Sequence, residues 1–226
     1  MIAATTAKGS LGRVKHLVWD WNGTLLNDLS LVVAATNTAL GSAGGAPVTE
    51  EEHRRDFRRP IIDYYGSLLG RAVTPEEFAV LDGIFHDEYR LGLRTCGLAA
   101  DALTALAGWT GTQSLLSMWF HNDLVPTVEG FGLTAHFRRI DGLKAALGGG
   151  FKAEHLTTHL AELGLDGPDA VLIGDSVDDA DAAAAVGARC ILYSGGFTAV
   201  ERLREVGVPV AASLTQAVAL ASSQIA

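Results

Sequence analysis

The chain of 226 residues is poor in several things that would narrow its function early. It has only two cysteines, Cys96 and Cys190, too few and too far apart for a disulfide framework or a zinc site, and both are expected as reduced core thiols. No apolar run approaches the roughly 18 residues that a membrane span needs. The opening segment MIAATTAKGSLGRVKH lacks the apolar core of a signal peptide, so a loose tail and a cytoplasmic protein are expected. Basic residues are scarce: 17 Lys and Arg stand against 26 Asp and Glu, a net charge of −9. That balance works against a broad nucleic-acid contact, although a local positive pocket stays open. Repeats and low-complexity stretches are absent apart from the alanine-rich 180–185. No feature names an oligomer, and a monomer is the default expectation.

What is present is ordinary globular material, 48% hydrophobic and 19% charged, enough for one well-buried domain or a larger domain with an insert. Short apolar runs alternate with longer amphipathic stretches, the pattern of strand and helix in turn. Strands are expected at Lys15–Trp19, Gln113–Ser117, Phe137–Ile140, Ala170–Ile173 and Cys190–Tyr193. From Asp28 to about Leu106 the periodicity is helical, with helices expected at 29–41, 50–58, 61–70 and 74–93 and a loop over GSAGGAP (41–47). The last of these helices has a cap at Thr74, Pro75 in its first turn and two acids behind it. The fold class expected is therefore α/β: a Rossmann-like parallel sheet interrupted after its first strand by a helical insert. The core domain would comprise 12–27 and 109–226, and the helical cap 28–108.

In parallel α/β sheets ligands gather at the carboxyl ends of the strands. Those ends carry Asp20 after the first strand, Ser117 after the second, and Asp175 with Asp179 after the fourth. Between the second and fourth, GGGFKAEHL presents Lys152 at a helix start; Lys144 competes for its role. Three carboxylates at one edge repel one another and call for a cation, most simply Mg²⁺ bound through oxygens. A hydroxyl, an ammonium and helix-start N–H groups would suit phosphate oxygens. By residue type alone, this is a site for phosphoryl chemistry.

These motifs, DWNGTL (20–25), Ser117, Lys152 and GDSVDDADAAAAVGA (174–188), resemble in order and spacing those of the haloacid dehalogenase superfamily. The insert between the first two resembles the helical C1 cap of its phosphoglycolate phosphatase-like group. The resemblance implies that Asp20 attacks phosphorus and forms an aspartyl-phosphate. It implies Mg²⁺ held by Asp20, the Asn22 backbone carbonyl and Asp175, with Asp179 a further ligand through water or an anchor for Lys152. Ser117 and Lys152 would bind and neutralise the phosphoryl group of the small phosphorylated metabolite that the resemblance implies as the substrate. Gly23, Thr24 and Met118, beside these residues, are expected against the substrate. The dehalogenases of the superfamily have no use for a metal site, and GDSVDD argues against that chemistry. Its phosphonoacetaldehyde hydrolases need a cap lysine, and none of the four lysines lies between 28 and 108.

Other polar groups have two readings each. The basic cluster HRRDFRRP (53–60) is either a solvated helix face or a place where Arg58 or Arg59 holds an anionic substrate tail. His155 and His159 form HxxxH without a third ligand and are expected as exposed helix histidines. Asn22 stands where many superfamily phosphatases have an aspartate that donates and accepts a proton. Three outcomes are open: a slow phosphatase, a phosphatase whose substrate has a good leaving group, or a phospho-ligand-binding protein with little turnover. His121 is a candidate substitute for the missing acid.

Overall fold

The computed structural model describes residues 15–144 and 150–223. Residues 1–14 of the expected tail (1–16) and two glycines of the run before Lys152, Gly148 and Gly149, lie outside the described residues, while the tail's last residue, His16, opens the first strand.

Strand β1 (His16–Trp19) is followed by a two-residue strand β2 (Leu26–Asn27) and four helices: α1 (Leu29–Ser42), α2 (Glu50–Asp56), α3 (Ile61–Leu69) and α4 (Pro75–Gly92). The chain then runs through β3 (Gly97–Leu98), α5 (Ala102–Gly108), β4 (Thr112–Phe120), α6 (His121–Gly130) and β5 (Ile140–Leu143). The remainder is α7 (Ala153–Leu163), β6 (Ala170–Gly174), α8 (Val177–Val186), β7 (Arg189–Tyr193), α9 (Val200–Glu205), β8 (Val210–Ala211) and α10 (Leu214–Ser223). Six strands form one parallel sheet in the order β5-β4-β1-β6-β7-β8, with β1 at its centre.

A central parallel strand is covered on both faces, so β1 reads as a continuous apolar run. Leu17 and Trp19 point into one buried cluster with Leu115, Ile173, Leu106 and Ala217, while Val18 points into another with Leu116, Leu172 and Leu156. A third cluster, Ala39, Leu40, Tyr65, Phe78 and Leu81, belongs to the helices between β1 and β4. Helix starts follow the side-chain chemistry: Thr49 and Glu52 form a capping box on α2, and Thr74 accepts from the Glu77 N–H ahead of Pro75 on α4. Among the described residues no helix is long and apolar enough to cross a membrane.

Three local expectations change. The third core strand is Ile140–Leu143, not Phe137–Ile140, because Thr134–His136 tighten into a turn and the register with β4 shifts between Leu116 and Phe120. Arg138 and Arg139 still bond to β4, through Gln113 O and Leu115 N, so the expected segment runs alongside the sheet as a lead-in. The stretch from Asp28 to Leu106 does contain a strand: β2 and β3 pair antiparallel and join the chain where it leaves the sheet to where it returns. Helix α5, at the end of the expected insert, packs with α10 against the sheet rather than with α1–α4. Cys190 is buried and Cys96 half-buried, both free thiols.

Candidate active site

Parallel strands β1 and β6 run side by side in register, so Asp20 and Asp175 emerge together beyond their carboxyl ends. The turn after β1 depends on Gly23, whose φ is +71° and whose missing Cβ would collide with the Asp175 carboxylate. Asp179 sits at the third position of α8, where it closes a capping box with Ser176 and accepts from both its N–H and its hydroxyl. One local motif thus starts a helix and aims a carboxylate at the site.

Lys152 bridges the first and last motifs. Its ammonium donates to Asp20 Oδ1 at 2.7 Å and to Asp179 Oδ1, although the side chain is only 3% exposed. Burial disfavours the lysine charge, but Asp179 and Asp20 hold its pKa above the usual lysine range. The same ammonium, against the burial of Asp179, keeps that carboxyl below its ordinary value. Burial pushes Asp20 up to about 6 against the pull of Lys152, and burial with the neighbouring Asp20 raises Asp175 well above the carboxylate range. Asp175 is held by Phe197 N at 2.5 Å and by the Thr24 hydroxyl at 3.3 Å.

Asp20, Asp175 and Asp179 offer carboxylate oxygens all within 4.8 Å of one another. With all three ionised, these buried carboxylates exceed the one buried ammonium by two negative charges, so the donor set fits a hard divalent cation, which would favour their ionised forms.

Asn22 is locked into a network of its own. Its amide donates to Asp28 Oδ2 and to the Tyr89 hydroxyl, each at 2.8 Å, and its Oδ1 accepts from Ser117 at 3.1 Å. Asp28 also takes the Gly23 N–H at 2.8 Å and the Tyr89 hydroxyl at 2.6 Å; burial raises its pKa to about 6. Neither Asp28 nor Tyr89 is legible in the sequence as a site residue: Asp28 reads as the start of α1 and Tyr89 as one member of α4's apolar series.

One cavity opens over Asp20, lined at its floor by Asn22, Met118, Lys152, Asp175, Ser176 and Asp178 and walled beyond by α1–α4 residues and Phe197. The expected substrate contacts divide. Met118 and Arg59 line the cavity; Arg59 pairs with Asp178 at 3.4 Å and donates to Gly150 O at 3.0 Å. Arg58 does not line it: its guanidinium reaches only the Asp56 carbonyl and is exposed. Gly23 and Thr24 do not line it either, because the turn carries both behind Asp175, which they position. Ser117 lies beneath, 1% exposed, its hydroxyl given to Asn22.

The helical insert is tied down over the sheet. Arg54 donates to Gly196 O and accepts from Ala199 N, while Arg202 donates to Phe57 O at 2.7 Å.

Two histidine expectations are corrected. His159 is buried, not exposed, with Nε2 on Ser114 Oγ at 2.6 Å and Nδ1 on Asp141 at 2.7 Å; His155 is half-buried. Ser114 also meets His16, which continues to Thr112. The serine–histidine–aspartate connectivity is that of a hydrolytic triad, but Ser114 is fully buried and lines no part of the cavity, so the network is structural. His121 turns toward β5, accepting from Gly142 N at 3.2 Å, and is not a substitute acid at the cavity.

Known proteins resemble this chain in sequence and in fold. A family model described as HAD-hydrolase-like matches residues 152–217. A phosphoglycolate phosphatase from Chromobacterium violaceum is 27% identical over 200 residues, 83% of this chain and 88% of that protein. Another from Mesorhizobium japonicum is 25% identical over 80% of this chain and 83% of its own length. Among solved structures, a predicted phosphatase from Clostridium acetobutylicum superposes with a TM-score of 0.82 at 15% identity, covering 92% of this chain and 98% of that one. In its family match over 152–217, the order of its motifs and this likeness along most of its length, the chain is similar to the haloacid dehalogenase-like hydrolases and, among them, to phosphoglycolate phosphatases.

Proposed function

We propose that the protein is a Mg²⁺-dependent phosphatase of a small phosphomonoester, with Asp20 as nucleophile. The observation that carries this reading is the Lys152 ammonium bridging Asp20 and Asp179 beside the third buried carboxylate, Asp175, at the floor of one cavity. Mg²⁺ would be held by Asp20, the Asn22 backbone carbonyl and Asp175, with Asp179 a ligand through water or the anchor of Lys152; it supplies charge stabilisation for the phosphoryl group. Lys152 fixes Asp20 for in-line attack and neutralises charge on nucleophile and phosphate. Ser117 would reach a phosphoryl oxygen by turning its hydroxyl away from Asn22. The helices α1–α4 act as the cap that excludes water and contacts the leaving group. The test is a screen of phosphomonoesters with and without Mg²⁺, with Asp20→Asn as control.

One observation favours a second reading, a phospho-ligand-binding protein with little turnover. Asn22 cannot exchange a proton near neutral pH, and general acid–base assistance is typically worth about 10² to 10⁴ in rate. No turnover above background across a wide panel, with Mg²⁺-dependent binding of phosphate mimics, would select that reading.

A further inference from the structure

Four buried side-chain nitrogens among the described residues have no hydrogen-bond partner: Trp21 Nε1, His53 Nε2, His86 Nδ1 and Trp119 Nε1. Three of the four residues, all but Trp21, line the cavity over Asp20. Buried polar groups are nearly always paired, so three orphaned nitrogens on residues that line one cavity point to a ligand whose entry turns these side chains toward it and completes them.

The chemistry of that ligand follows from the partners already taken. Trp119 Nε1 can only donate, so it needs an acceptor. His86 turns Nε2 toward the Asp82 carboxylate at 3.4 Å, which leaves its Nδ1 without a partner. His53 is bonded at Nδ1 to the Tyr64 hydroxyl at 2.9 Å and stacked on Phe57 at 4.9 Å, which fixes Nε2 in place. Burial, with Arg54 nearby, holds the His53 imidazole neutral, its pKa down at about 4.

Charge excludes a second anionic group. The lysine and arginine lining the cavity, Lys152 and Arg59, are both already paired, with Asp20 and Asp179 and with Asp178. Asp82 adds a further carboxylate to the same wall. Much of the remaining lining is aromatic, with Phe57, Tyr64, Phe85, Tyr89, Trp119 and Phe197 around the cavity.

We propose that the α1–α4 end of the cavity binds an uncharged, ring-bearing leaving alcohol that offers an acceptor to Trp119 Nε1 and polar groups to His53 Nε2 and His86 Nδ1. The inference rests on the phosphatase reading and sets this chain's substrate apart from a small anionic ester such as phosphoglycolate. Steady-state kinetics of the full chain with Mg²⁺ test it, using acetyl phosphate, phosphoglycolate, nucleoside 5′-monophosphates and hydroxylated benzyl phosphates. The expected result is a kcat/KM for a ring-bearing ester at least about 100-fold above phosphoglycolate, the scale at which the shape of an apolar pocket discriminates. Trp119→Phe and His53→Phe, which keep an aromatic ring, should each cut that advantage about tenfold, through KM. Preference for phosphoglycolate by the wild type overturns the inference while the phosphatase reading stands, as does an advantage that both variants leave unchanged. Should neither variant fold, the wild-type preference alone decides. Absence of turnover even with acetyl phosphate overturns both.

Discussion

The side-chain amide of Asn22 donates to Asp28 Oδ2 at 2.8 Å, and the same oxygen takes the hydroxyl of Tyr89 at 2.6 Å. Asn22 is therefore a built part of the site, joining the β1 turn, the start of α1 and the insert helix α4. An aspartate in its place would set two carboxylates against each other in a buried position, where like charges are costly.

Asn22→Asp is accordingly expected to lower stability by about 1–3 kcal/mol and to leave turnover flat or reduced. Combining it with Asp28→Asn restores one amide facing one carboxylate, and the double variant should recover most of the lost stability. Chemical denaturation of the four proteins in the cycle measures this. A large gain in turnover confined to dephosphorylation in Asn22→Asp would contradict it and mark Asn22 as a brake on water attack.

Lys152→Met removes the buried cation between Asp20 and Asp179 while keeping a similar shape. Breaking a buried pair in this way typically costs about 3–5 kcal/mol. Turnover should fall by about 10² to 10³, the scale of one lost charge stabiliser. Denaturant melts and single-turnover rates check both effects; an unchanged denaturation midpoint would show that the bridge does not hold these elements together.

The neighbouring arginines should behave differently. Arg59 ties the insert to Asp178 and Gly150 beside Lys152, whereas Arg58 is exposed. Arg58→Ala should stay within about 0.5 kcal/mol of wild type and leave kcat/KM unaltered. Arg59→Ala is expected to lower kcat/KM about tenfold, a loss of roughly 1.4 kcal/mol in transition-state stabilisation. Equal effects of the two substitutions in steady-state assays would contradict this division.

Acid should weaken the fold through two histidines kept neutral. Burial lowers His16 and His53 from 6.5 to about 4, with His159 and Arg138 adding to the effect at His16 and Arg54 at His53. A depressed folded pKa means stability that is complete above pH 6.5 and is lost as pH falls toward 4, up to roughly 3 kcal/mol per histidine at about 1.4 kcal/mol per unit. Asp28, raised to about 6, works in the opposite direction over about pH 6 to 3.8 and offsets part of the loss. NMR titration should find the His16 imidazole changing charge near pH 4, and His16→Asn should flatten the decline in denaturation midpoint between pH 6.5 and 4. A His16 midpoint near 6.5 would contradict the account.

Much of this site is legible in local patterns of sequence. The apolar run before Asp20, the glycine–threonine turn and the Ser176–Asp179 start of α8 are written within a few residues each. Contacts between distant segments are not. Asp28 and Tyr89 are 61 positions apart, and only the packing of α4 on α1 brings them together. His159 sits on a helix whose spacing fits an exposed polar face; its burial depends on Ser114 and Asp141 arriving from two strands. Arg58 and Arg59 are adjacent, and no rule of composition chooses which one turns into the cavity. The β2–β3 pair is two residues long in each strand, too short for a period to show.

The most direct test of the central claim is to find the phosphoryl group on Asp20. The 226-residue chain would be mixed with acetyl phosphate and Mg²⁺, quenched in acid at short times and mapped by mass spectrometry. The account predicts a Mg²⁺-dependent acyl-phosphate on Asp20, long-lived because Asn22 cannot act as a base for water attack, and absent from Asp20→Asn. Turnover that proceeds without modification of Asp20, or persists undiminished in Asp20→Asn, would contradict it.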